Sequence, residues 1–134
     1  MIQLSSVAEG IAALGDSVSV VGGRSETRID AAGAATEVVL ASADGSHHMA
    51  VAPRNGAVGV VWSSIDEVVR FAAVSAASVP GPVRNVGCAA QVEVPAIAAV
   101  PDGFLVAAPR PEGGHDAFYN QVYPKIRITH VSQP

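Results

Sequence analysis

The 134-residue chain is short of charge, cysteine and aromatics, and each shortage excludes something. Asp, Glu, Lys and Arg make up 15% of it, against roughly 25% in an ordinary soluble domain. The cations Arg24, Arg28, Arg54, Arg70, Arg84, Arg110, Lys125 and Arg127 form no run, and the net charge is -4. Phosphate recognition rests on clustered cations, so nucleic acid is not an expected partner. Cys88 is the single cysteine, which rules out an internal disulfide and any need for an oxidising compartment. No apolar run approaches the roughly 20 residues that cross a bilayer, so no membrane span is expected. The N-terminus lacks a basic region followed by an apolar block and a small-residue cleavage site, so no signal peptide is expected either. Cytoplasm or an assembled particle is the expected location. The chain also lacks a P-loop, G-x-G-x-x-G, H-E-x-x-H, C-x-x-C and G-x-S-x-G. No cofactor or metal is expected.

What is present is small and apolar. Hydrophobic residues are 49% of the chain, with Ala and Val dominant. The length fits one domain, residues 1–134, with one core. A domain of this size cannot hide so many apolar side chains completely. Two explanations compete: the codon bias of a GC-rich genome, or a surface largely covered by neighbours in an oligomer.

Patterning predicts two helices. Residues 4–14, LSSVAEGIAAL, carry Ser6 and Glu9 at capping-box spacing. Val7, Ile11 and Leu14 then share one helical face, with Gly15 as a stop. In residues 65–78, IDEVVRFAAVSAAS, the stripe Ile65, Val68, Val69, Ala72 and Ala76 follows a second capping signal at Ser63-Ser64. Pro80-Gly81-Pro82 ends it. The remaining segments read as short strands: 17–21, 24–30, 36–42, 47–52, 57–62, 86–94, the two sides of Pro101-Asp102-Gly103, and 125–131. Asp-Gly and Asn-Gly turns should join the three strands between 36 and 62 into a meander. Strand 24–30, RSETRID, is expected to be an exposed edge whose charges deter foreign pairing. The expected class is α+β: a mostly antiparallel sheet of short strands with two helices packed on it.

Few residues point to chemistry. In NVGCAAQVEV, Cys88 shares its alternation face with Val86, Ala90, Val92 and Val94. It should therefore be a buried, inert thiol rather than a nucleophile. His47 and His48 are adjacent on a strand and face opposite ways, so they cannot chelate one metal together. Ile126, Ile128 and His130 should face the core. The loop GGHDAFYN, 113–120, is the strongest site candidate, with His115 and Asp116 as titratable neighbours and the rare aromatics Phe118 and Tyr119. Trp62 reads as a core or interface anchor. Arg24, Glu26 and Arg28 on the edge strand complete the expected partner-contact set: Arg24, Glu26, Arg28, Trp62, His115, Asp116, Phe118 and Tyr119.

Together these readings favour a non-catalytic structural or assembly protein over an enzyme. It would act through protein–protein contacts, as a homo-oligomer or part of a larger assembly such as a virion (phage head or tail) or shell component. The alternatives are a small regulatory or immunity-type binding module, or a small enzyme using the His115/Asp116 loop.

Overall fold

The computed structural model describes residues 7–40, 46–88, 94–110 and 125–133. Among these residues there are eleven strands and no helix. The protein is all-β, and the expected α+β class with two helices is overturned. The strands are β1 (Gly10–Leu14), β2 (Ser17–Gly22), β3 (Ser25–Ile29), β4 (Ala35–Val39), β5 (Ser46–Arg54), β6 (Ala57–Ser64), β7 (Val68–Ser75), β8 (Arg84–Cys88), β9 (Ala96–Val100), β10 (Gly103–Arg110) and β11 (Lys125–Ser132). They form three antiparallel meanders, β1–β4, β5–β8 and β9–β11, and every strand pairs only with its sequence neighbours.

The β5–β8 sheet is the middle of three layers. On one side Ala52, Val61, Val69 and Phe71 pack against Phe104, Val106, Ala108 and Val131 of β10 and β11. On the other, Met49, Val58, Val60, Trp62, Ala72 and Val74 pack with Val21 of β2, flanked by Leu14 and Val38. A strand buried on both faces reads as a continuous apolar run rather than an alternation. The run VVRFAAV therefore satisfies a helical stripe and a strand equally well. Three-dimensional context makes it β7. Phe71 pairs with Val61 across from β6, and its ring lies 5.4 Å from that of Phe104. The Phe104 ring also fills the space above Gly59, where a Cβ would lie 2.7 Å from it.

Both capping signals have other uses. Ser63 and Ser64 end β6, and a tight turn follows in which Glu67 N donates to Ser64 O. Glu67 takes a positive φ of 63° there. Ser6 lies outside the described residues. The Glu9 carboxylate accepts from Met49 N at 3.1 Å, and Glu9 N donates to Val21 O. Gly10, which weakens a helix by about 1 kcal/mol relative to Ala, instead lets β1 approach β5. A Cβ there would lie 3.1 Å from Val21 and 3.3 Å from Val51.

Several strand expectations hold, including 17–21, 57–62 and 125–131. The Asn55-Gly56 turn joins β5 to β6 with positive φ at both residues, 36° and 77°. A type I′ hairpin requires this sign at both central positions. The turn at Pro101-Asp102 joins β9 to β10. Two organisational expectations fail. β4 pairs with β3 and not with β5, so the meander from 36 to 62 is split between two sheets. Strand 24–30 is not an edge, because β3 lies between β2 and β4. Its charges point inward: Glu26 is fully buried and Arg28 is 5% exposed.

Those two charges sit between the first and second layers. Ser19 Oγ donates to Glu26 Oε1 at 2.6 Å, and Arg28 Nε donates to the same oxygen at 2.9 Å. Arg28 Nη1 reaches Ala76 O, just past β7, at 3.3 Å. Glu26 Oε2 and Arg28 Nη2 have no hydrogen-bond partner among the described residues. A buried carboxylate needs such pairing, because desolvating an isolated charge is expensive.

Candidate interaction surface

The third layer carries the most exposed aliphatic side chains that share one sheet face. Phe104, Val106, Ala108 and Val131 point inward. Successive residues of a strand face opposite ways, so Leu105 and Ala107 of β10 and Ile126, Ile128 and His130 of β11 point out. The pairings Leu105↔His130 and Ala107↔Ile128 set them in rows. Ala98↔Leu105 and Ala96↔Ala107 extend those rows onto β9. Ile126 is 69% exposed, Ile128 66% and Leu105 37%. The expectation that Ile126 and Ile128 face the core is therefore reversed. Thr129 and Val131 occupy the inward positions instead, and Thr129 Oγ1 donates to Val86 O of β8 at 3.0 Å.

His130 also lies on this outward face rather than on the core side. Its Nε2 is 3.0 Å from Asp102 Oδ1, which ties the end of β11 to the β9–β10 turn. Cys88 is exposed, which overturns its assignment to a core. The cause is local. The register between β7 and β8 shifts between Val69 and Arg70, so that Gly87 faces Val69 while Asn85 faces Arg70. Val86 is the extra residue of this bulge, and a bulge breaks alternation. Val94, assigned to the same face, is also exposed. Ala90 and Val92 lie outside the described residues.

The other expected contact residues are scattered. Arg24 is exposed in the β2–β3 turn. Glu26, Arg28 and Trp62 are interior side chains. His115, Asp116, Phe118 and Tyr119 lie outside the described residues, as does the whole of the 113–120 loop. Of the described members the structure brings together Glu26 and Arg28, and these pair in the interior rather than at a surface. His48 Nδ1 stands 3.4 Å from Glu9 Oε1. Among the described residues, no group of three or more His, Cys, Asp or Glu is arranged to hold a metal ion.

A cleft of about 490 Å³ opens where the β1–β2, β5–β6 and β9–β10 turns meet, lined by Leu14, Gly15, Arg54, Asn55, Gly56 and Pro101 among others. Arg54 is committed to the scaffold: Nε donates to Val100 O at 3.1 Å and Nη2 to Pro101 O at 2.8 Å. No carboxylate, imidazole or thiol lines the cleft, so its described walls supply neither a nucleophile nor a general base.

At the β6–β7 turn, Arg70 Nη1 donates to Asp66 Oδ1 at 2.9 Å. This hydrogen bond, with the Val68 amide and the guanidinium charge adding to it, lowers the Asp66 pKa from 3.8 to about 2. The pair is exposed, and it stabilises the turn locally. Among the described residues, no helix is long and apolar enough to cross a membrane. No known protein family, curated protein or solved structure matches the chain.

The outward face was missed in the sequence because β10 is apolar on both parities, while in β11 the alternation of Ile126 and Ile128 with Lys125, Arg127 and Thr129 argues for isoleucines that face inward. The one available signal was size. Phe104 is the bulkiest side chain of its hairpin, and a large ring gains most from burial. Assigning Phe104 inward puts Leu105 on the other face.

Proposed function

We propose that the protein is a non-catalytic subunit that acts through protein–protein contacts in a larger assembly. A virion head, tail or shell component is the kind of role intended, in the cytoplasm or within an assembled particle. The observation that carries this reading is the outward face of the β9–β11 sheet, where Leu105, Ile126 and Ile128 stand exposed side by side. Singly exposed aliphatics are ordinary on a protein surface, whereas a contiguous set rimmed by polar groups is characteristic of an interaction site. The low charge content supports the same reading, since interface cores are depleted of charge.

Light scattering on a sizing column, over a wide range of protein concentration, tests the proposal. The expected result is a native mass above that of one chain, rising with concentration. A clean monomer at every concentration overturns self-assembly.

A further inference from the structure

We infer that the outward face of the β9–β10–β11 sheet docks on the same face of a second copy, β11 of each copy lying over β9 of the other. This rests on the assembly reading above and names its surface and partner.

The relief of the face is the first argument. β11 presents Ile126 and Ile128, both about two-thirds exposed. β9 presents Ala96 and Ala98, aligned with Ala107 and Leu105 of the central strand, and ends on the partly buried Val100 opposite Gly103. The face is therefore a ridge along one side and a trough along the other. A two-fold contact pairs a surface with itself, so residue i meets j and j meets i. If the axis lies in the contact plane and runs along the strands, the ridge of each copy lies over the trough of the other. An axis across the strands would stack ridge on ridge. Facing sheets pack about 10 Å apart with interdigitating side chains, and large-over-small is the arrangement that fills that gap.

Charge is the second argument. Ala96, Ala98, Leu105, Ala107, Ile126 and Ile128 carry none. His130 and Asp102 stand together at one end and engage each other. A chain of net charge -4 meets its own copy here without like charges facing across the contact. A strongly charged partner would find nothing on the face to pair with. The outer face of the β1–β4 sheet differs: Thr27 and Glu37 pair across its middle, and Ser25 Oγ donates to Glu37 Oε1 at 2.7 Å. That polar group divides Ile11 from Val39.

Area sets the strength. Three strands of about five residues give each copy on the order of 400 Å² of contact, roughly 800 Å² in all. This is the weak end of specific interfaces, so association should depend on concentration and gain from multiplicity in an assembly.

Sedimentation velocity of the full chain over a concentration series tests the inference, using Ile128→Asp for the ridge, Ala96→Arg for the trough and Val39→Asp on the opposite outer layer as control. All three sites are exposed, and circular dichroism confirms that each variant folds. Each of the first two variants alone should weaken association at least tenfold, and the control should leave it unchanged. Mixing Ile128→Asp with Ala96→Arg should restore association, because the new carboxylate meets the new guanidinium on one side while native ridge and trough meet on the other. Association that survives both variants overturns this face and leaves the assembly reading standing. Loss in both variants without recovery in the mixture overturns the ridge-over-trough arrangement. A wild-type chain that is monomeric throughout overturns both readings.

Discussion

The two interlayers of the molecule are built differently. Between the β5–β8 and β9–β11 sheets the contact is centred on an apolar cluster of Phe71, Phe104 and Val61, with hydrogen bonds from Thr129 to Val86 O and from Arg54 to Val100 O at its margins. Between the β1–β4 and β5–β8 sheets an apolar cluster around Trp62 and Val21 shares its layer with a buried Ser19–Glu26–Arg28 network. The centre of the first contact holds no charge and gains from area and fit. The second contains an acid whose pairing is met in one arrangement, with Arg28 also reaching the Ala76 carbonyl beyond β7. Apolar burial is the main source of stability in both layers, because a buried ionic group recovers little beyond its own desolvation cost.

Substitutions separate these roles. The largest effect should come from the apolar layer. Phe104→Ala should cost about 3–5 kcal/mol, through lost burial and the cavity left over Gly59 and Phe71. Urea unfolding measures it, and a loss below about 1 kcal/mol would mean that the two sheets do not share a core. Next comes the polar layer. Arg28→Met should cost about 3 kcal/mol, because it leaves the Glu26 carboxylate buried with only Ser19. Adding Glu26→Gln should recover most of that loss, since no charge then remains inside. If the double variant is as unstable as the single one, the contrast between the layers fails.

The smallest effect should lie outside both layers, at the exposed Asp66–Arg70 pair. Asp66→Asn should lower the melting temperature slightly near neutral pH. The folded-state pKa of Asp66 is depressed from 3.8 to about 2. Its contribution is therefore present above the ordinary value and lost as pH falls through the folded one. The melting curves of wild type and Asp66→Asn should converge as the pH drops from 3.8 towards 2. A difference that persists at the lowest pH would assign the effect to something other than this carboxylate.

Local chemistry made much of the strand framework readable. Asn55-Gly56 and Pro101-Asp102-Gly103 were legible as hairpin turns because few residues accept the backbone geometry of such turns. β2, β6 and β11 were legible from β-branched content. The helices expected over 4–14 and 65–78 were wrong for two different reasons. In β7 a strand covered on both faces carries no alternation to read. In β1 the capping residue Glu9 is used across the fold, on Met49 of β5. The charges of β3 suggested solvent, yet Glu26 and Arg28 satisfy each other inside. Cys88 was misread because a single bulge at Val86 resets the parity of its strand.

By itself the sequence determined a strand-rich chain, most of its strand positions, two of its tight turns and its shortage of charge. These follow from bonded geometry and from side chains acting on their own backbone. Which face of each strand lies inside was decided only by the tertiary structure. Alternation divides a strand into two sets, and when both are apolar only the packing of a third element, such as the Phe104 ring over Gly59, selects between them. The same choice sent Ile126 and Ile128 outward, and with them the surface on which the proposed function rests.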